Sequence, residues 1–310
     1  MQRKHSVLIA IVLLTTVATL GLNSVAIAAT SPIERLVAME QILFGSPQEG
    51  AVVNRLEIVE RLVFGQPGTG TLPDRLEACW NYVQGDRAGG MNLKFKLRTV
   101  QWTVFGTVTD GPIVPVLNDV EQQILGQTGS GSIGVRLDNL LKLTIPGGRP
   151  DVGYALVPKG SLVKLRLATE LSSSKSRPGD EIRFTVVDDI ISEGRLVLPK
   201  GTTVIARVLD NVRPTKMGVK ARVDLEVGTI EGMDSSPITV SVDQAAAAAN
   251  TAATVAAGEG LRRFAVMGKE GALGGLLGQN PELELGVGVE LFLSVMQTSK
   301  VLGLGVSGSK

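Results

Sequence analysis

The residues of this chain that could do chemistry are carboxylates: Asp180, Glu181, Asp188, Asp189 and Glu193 form its one dense acidic cluster. Paired carboxylates can run glycoside hydrolysis, one as acid and the other as base or nucleophile. Their settings, a PGDE turn and a VDDI strand end, are equally those of an ordinary surface. The only histidine is His5, inside an N-terminal leader, so the chain beyond it has no imidazole. That removes Ser-His and Cys-His nucleophile pairs and zinc sites that use histidine. The lone Cys79 can form neither an internal disulfide nor a cysteine-rich metal site. It stands where related segments carry Met39, Val59, Val100 and Val120, and so reads as a small buried apolar residue. The glycine-rich string at 268–278 lacks GxxxxGK[ST] order, and GVGVEL at 286–291 lacks the third glycine of a dinucleotide fingerprint. Lys159 and Lys200, each in a Pro-Lys-Gly triplet, could form a binding pair, but one turn used twice to start a strand is the plainer reading. The sequence assigns no catalytic, cofactor-binding or metal-ligating residue.

The elements that must position these groups begin with a repeat. RLVAMEQILFG (Arg35 to Gly45) returns as RLEIVERLVFG, RLEACWNYVQG, KLRTVQWTVFG and VLNDVEQQILG, with a truncated sixth copy, RLDNLLKLTI, from Arg136. The starts step by 20, 20, 21, 20 and 20 residues. A fixed period of this size marks units too small to bury their own apolar face. With the Arg as position 1, positions 2, 5 and 9 are apolar, which puts them on one helical face. Position 11 is Gly in five copies, where a helix end takes the left-handed conformation. The stretches between, such as SPQEGAVVN and QPGTGTLPD, read as loop. The basic residue at position 1 and Glu40, Glu60 and Glu121 at position 6 are either a charged ligand stripe or inter-helix ion pairs on a solvated face. Phe44, Phe64 and Phe105 at position 10 read as packing anchors.

A Pro/Gly cluster at 146–154 ends the helical period and reads as a linker. Beyond it, VKLRLATEL, EIRFTVVDDI, TVIARVL, ARVDLEVGTI and PITVSVD alternate apolar and polar residues, for example Val163, Leu165 and Leu167, or Ile182, Phe184 and Val186. A period of two marks half-buried strands. Alternation from Leu283 to Val295 predicts a last strand that closes this domain. Residues 244–277, rich in Ala and Gly, read as a helical insertion lying on the surface. The fold class is therefore α+β: a helical repeat array at 31–145, then an antiparallel β sandwich or barrel at 155–310.

The leader indicates a destination. A basic start, an uncharged run from Val7 to Leu22 and the small-residue triplet Ala26-Ile27-Ala28 predict a signal peptide spanning 1–28. The alternative is a retained anchor, since the run approaches the length that spans a bilayer. Charge is nearly balanced, with 31 basic and 30 acidic residues, and aromatic residues make up 4%. These values point away from nucleic acid and from sugar binding through stacked rings.

The RLxxxExxxFG units are similar to repeats of secreted envelope proteins of bacteria with two membranes, cyanobacteria among them. In the second half, LVPKGSLVKLRL, SRPGDEIRFTVVDDI and GRLVLPKGTTVIARV occur in an order that resembles the barrel domain of conjugal-transfer and type IV secretion channel subunits of the outer-membrane core. That resemblance implies a barrel over 155–243, a helical segment over Gln244 to Leu277 and a final strand from Leu283 to Val295. It also implies assembly into a ring of many copies. Taken together, the expectation is a non-catalytic exported cell-envelope protein, periplasmic or outer-membrane associated. It would act as a scaffold that binds envelope proteins or itself, with peripheral membrane or cell-wall association open. A channel subunit and a carboxylate-only hydrolase are the alternatives.

Overall fold

Every repeat helix begins one turn earlier than the Arg-anchored register suggests. The computed structural model describes residues 31–85, 90–212, 222–227, 229–256, 264–266, 274–278 and 284–306. In it α1 (Pro32–Phe44), α2 (Val52–Phe64), α3 (Leu72–Gln84), α4 (Leu93–Phe105), α5 (Ile113–Leu125) and α6 (Ile133–Thr144) each start three residues before position 1. Packing gives the reason: Leu93, Ile113 and Ile133, at that earlier position, are buried and extend the apolar stripe upstream. The stretches SPQEGAVVN and QPGTGTLPD are thus loop only as far as the caps Ala51 and Thr71. Ser31 closes a capping box with Glu34, and Gly45, Gly65, Gly106 and Gly126 end their helices in the left-handed conformation.

The stripe residues Leu36, Met39, Leu43, Leu56, Val59, Val63, Leu76, Cys79 and Val83 are all buried, but Val104 of the fourth unit is 43% exposed. One core runs through all six helices. In an open solenoid each unit touches only its neighbours. Here α1 also packs against α5, and α2 against α6, so successive turns of the coil stack. The six helices thereby share a packed interior. Phe64 meets Tyr82 edge-on at 5.2 Å, and both rings stay partly exposed.

The β domain starts with β1 (Val152–Val157), inside the stretch read as linker, followed by β2 (Leu162–Leu167), β3 (Leu171–Ser172), β4 (Glu181–Val186), β5 (Ile190–Ser192), β6 (Arg195–Leu198) and β7 (Thr203–Val212). It continues through β8 (Arg222–Val227), β9 (Thr229–Glu231), β10 (Pro237–Ser241), α7 (Gln244–Ala256), β11 (Phe264–Val266), β12 (Gly274–Gly278), β13 (Glu284–Leu285), β14 (Glu290–Val295) and β15 (Ser299–Gly305). A nine-stranded sheet in the order β11-β12-β8-β7-β4-β2-β14-β10-β9 and a four-stranded sheet β1-β15-β6-β5 form a nearly closed antiparallel barrel. Alternate residues of the central strands, such as Val163, Leu165, Ile182, Phe184, Val204 and Leu293, fill it from within.

Three expectations are corrected here. The strand predicted from Leu283 to Val295 breaks at a turn where Gly288 has φ +97° and Val287 is 68% exposed, and β15 rather than β14 ends the domain. Among the described residues of the insertion at 244–277 the helix is α7, and Gly274–Gly278 forms β12 on the edge of β8, as suits a segment whose glycines disfavour helix. Nor does α7 simply lie on the surface. Ala246 enters the barrel core, and the Asn250 side-chain amide both donates to Phe292 O (2.9 Å) and accepts from Phe292 N (2.6 Å). It thereby completes the backbone pairing of β14 beyond the reach of β10. No described helix is long and apolar enough to cross a membrane, and the predicted signal peptide lies outside the described residues.

Candidate functional site at the junction of helices and barrel

The charges of the repeat are joints. Arg55 Nε and Nη2 donate to the two oxygens of Glu40 (2.9 and 2.6 Å), Arg75 does the same to Glu60 (2.8 and 2.7 Å), and Arg136 to Glu121 (3.0 and 2.6 Å). Each glutamate also accepts a backbone N–H from eight residues on: Gln48, Gly68 and Gly129. Position 6 of one unit thus clasps position 1 of the next, fifteen residues later, and ties down the loop between them. The expectation of ion pairs holds, but that of a solvated face does not, since the three glutamates are at most 1% exposed. A carboxylate buried so deeply requires this full set of donors.

The electrostatics follow from the contacts. Hydrogen bonding by Arg75 holds the Glu60 carboxyl below its ordinary range, against burial that would raise it. For Glu121 burial is the largest influence and would raise the value, but Arg136 and the Gly129 N–H together outweigh it and the net is a lowering. Burial, aided by Glu60, pushes the Cys79 thiol up to about 12, so it is a protonated packing residue at neutral pH.

The fourth unit breaks the rule. Where position 6 is Trp80, the next unit opens with Lys96, which pairs instead with Asp138 (2.8 Å); where it is Gln101, the next opens with Val116. Gln101 Nε2 donates to Thr109 O (3.2 Å), eight residues on, and so reverses the polarity of the clasp. A second departure lies on the outer face, at the residue before position 1 and at positions 3 and 7. Other units carry Asn54, Glu57 and Arg61, or Asp74, Glu77 and Asn81, none of them buried. The fourth carries Phe95, Arg98 and Trp102.

Those three side chains dock the helices onto the barrel. Phe95 is buried with Leu196, Met233, Leu302 and Leu304 in a core separate from the other two. Arg98, 1% exposed, donates from Nη1 to Gly232 O (2.5 Å) and from Nη2 and Nε to Asp110 Oδ1 (2.7 and 3.1 Å). Asp110 Oδ2 in turn accepts from Thr203 N (2.8 Å). Trp102 Nε1 donates to Asp189 Oδ2 (2.8 Å), whose other oxygen accepts from Lys200 N (2.6 Å). Asn92, the cap of α4, reaches Asp234 O (2.8 Å), and Lys94 pairs with Glu231.

The second Pro-Lys-Gly turn belongs to this seam. Lys200 O accepts from Val108 N (2.9 Å) and Thr107 Oγ1 (3.1 Å). Gly201 has φ +92°, and a Cβ there would lie 2.1 Å from Val108 O, so only glycine fits. The first turn, with Gly160 at φ +85°, meets no such partner, and Lys159 and Lys200 serve two turns instead of one binding pair. Beside the seam is a cleft of about 420 Å³ lined by Thr107, Asp110, Arg166, Thr185, Asp188 and Lys200. Arg166 on its wall is held by Glu290 (2.7 Å), whose carboxyl Lys164 and Arg166 keep below the ordinary range.

The structure does not gather the acidic cluster. Asp180 accepts Arg177 N in its own turn, Glu181 lies exposed at the start of β4, and Glu193 forms the turn after β5 at φ +51°. Asp188 lies at the cleft, and Asp189 is committed to Trp102 and Lys200. Hydrolysis of a glycoside uses two carboxylates facing one bond; of these five, Asp188 is the one that lines the cleft. The pattern does not single out Arg98, Asp110 and Trp102; the one visible signal is that Phe95 and Trp102 set large aromatic rings on an outer face where the second and third units carry Asn54, Arg61, Asp74 and Asn81. No protein-family model matches the chain, and no curated protein is significantly similar to it.

Proposed function

We propose that the protein is a non-catalytic, exported scaffold of the cell envelope that engages envelope proteins or further copies of itself. The observation that carries this reading is the commitment of its buried and half-buried charges to internal joints: Glu40, Glu60 and Glu121 between repeats, Arg98, Asp110 and Asp189 between helices and barrel. Such an arrangement ties the two units together, which suits a part that holds others in place. The leader, with its basic start and Ala26-Ile27-Ala28, supports export. Cell fractionation with crosslinking of the native protein tests compartment and neighbour together. Recovery only in the cytosol, with the leader uncut, would sink the reading.

The antiparallel barrel supports a second reading, a subunit of a trans-envelope channel of the conjugation or secretion type. Its interior is packed with side chains such as Phe184 and Leu165, so any passage would run between copies arranged in a ring. Light scattering of the detergent-free protein separates the two: a monomeric mass counts against the ring.

A further inference from the structure

Five repeat units carry a basic residue at position 1, and four of these residues hold a carboxylate: Arg55 with Glu40, Arg75 with Glu60, Lys96 with Asp138 and Arg136 with Glu121. The fifth, Arg35, opens the array, is only half-buried, and has no ion-pair or side-chain hydrogen-bond partner among the described residues. Its own chain cannot supply one by the rule of the other clasps. Fifteen residues upstream, where the other clasps find their glutamate, stands Leu20. Glu34 itself is engaged in the capping box with Ser31. Next to Arg35 the apolar side chain of Ile33 is 54% exposed, uncovered in the same first turn.

We infer that Arg35 and the first turn of α1 are an open clasp, which accepts the sixth-position glutamate of a repeat unit carried by a second polypeptide. The chemistry of the occupant is set by the three filled clasps: a helix bearing a glutamate whose carboxylate takes both Nε and Nη2 of the arginine. A second copy of this chain does not provide it. Glu40, Glu60 and Glu121 are already closed, and the last unit has Leu141 at position 6. The partner is therefore a different protein whose repeat array ends in an unsatisfied glutamate, and the two arrays continue each other end to end. The inference takes its partner from the scaffold reading and its chemistry from the clasp geometry alone.

Three measurements test it. In the intact chain Arg35→Gln should leave the thermal midpoint within about 1 °C of the parent, while Arg55→Gln lowers it by several degrees. Equal losses would mean that Arg35 is already held within the chain, and would overturn the inference. Next, a duplicate of residues 31–50 is placed directly before Ser31, so that its copy of Glu40, the glutamate to be tested, falls fifteen residues ahead of Arg35. The extended chain should gain a few degrees, lose most of that gain when the duplicate's glutamate becomes glutamine, and show no such loss once Arg35 is glutamine. A gain indifferent to Arg35 counts against the open clasp. Finally, a photo-crosslinker at Ile33 in cells should capture a protein bearing RLxxxE-type units, and Arg35→Gln should abolish the capture. Capture of another copy, or capture unaffected by Arg35→Gln, also overturns it. Cytosolic recovery would remove the envelope scaffold but leave the first two results untouched, so the two failures are distinguishable.

Discussion

The second unit of the array and the fourth are built on helices of equal length at the same place in the repeat, yet they serve opposite ends. In the second, Arg55 and Glu60 turn inward to join neighbouring units, and Asn54, Glu57 and Arg61 face water. In the fourth, the inward clasp is gone, with Gln101 and Val116 in its place, and the outward face has become Phe95, Arg98 and Trp102. The comparison teaches that a repeat holds two separable sets of positions, one for continuing the array and one for meeting something else. A unit recruited to the second task can drop the first because the barrel now fixes it in place.

The largest expected effect comes from breaking the fourth unit. Arg98→Ala leaves Asp110 without its cation and Gly232 O without its donor; a cost of about 3–5 kcal/mol is expected for a broken buried pair. Calorimetry should then resolve two transitions where the parent shows one. A single unshifted transition would mean that Arg98 does not couple the units. Glu121→Gln breaks a clasp without touching the junction, and should cost about 2 kcal/mol through lost charge-assisted bonds from Arg136 and Gly129. Because the barrel has no part in that clasp, denaturation should still proceed in one step.

Gly201→Ala comes next. Its left-handed backbone and the contact with Val108 O predict a loss of about 2 kcal/mol, whereas Gly160→Ala, equally left-handed but with nothing near its Cβ, should lose less. Equal losses at the two turns would show that backbone angle, not the docked loop, sets the cost. To sharpen the comparison, the missing clasp can be rebuilt with Gln101→Glu and Val116→Arg together. A double-mutant cycle should show favourable coupling of about 1 kcal/mol, although each single change destabilises. Zero coupling would confine the clasp rule to the units that already have it.

The smallest effect is that of acid. Glu60 and Glu121 titrate lower in the folded chain than their ordinary value of 4.5. Their contribution to stability is fully present above that value and fades as pH falls through the lowered folded values. The melting midpoint should therefore decline more steeply below pH 4.5 in the parent than in Glu121→Gln.

Much of the scaffold was legible in the chain because its signals are local and periodic. The helical stripe, the glycine stops and the alternation of Ile182, Phe184 and Val186 all report which face is buried. What the period could not report is how the array coils. That depends on contacts such as α1 with α5, between residues about 80 positions apart, which leave no mark on a single unit. The glutamates were read as surface because a buried charge and a solvated one look alike until the donors are placed around them. Arg98 and Trp102 escape the period for another reason: they stand at positions 3 and 7, which the repeat leaves variable, so nothing in the pattern marks them. Asn250 carries no local signal of its role either, because its partner Phe292 lies 42 residues on.

The strand β15 has a bearing on the order of events during synthesis. Leu302 and Leu304 supply part of the apolar cover over Phe95, and among the described residues the strand partner of 152–157 is 299–304. The six helices are complete some 150 residues before that cover is made. A growing chain therefore leaves the Phe95-Trp102 face only partly covered, by Leu196 and Met233, and its first barrel strand without β15, until the final strand arrives. Loss of the last dozen residues should accordingly leave the chain adhesive at that face.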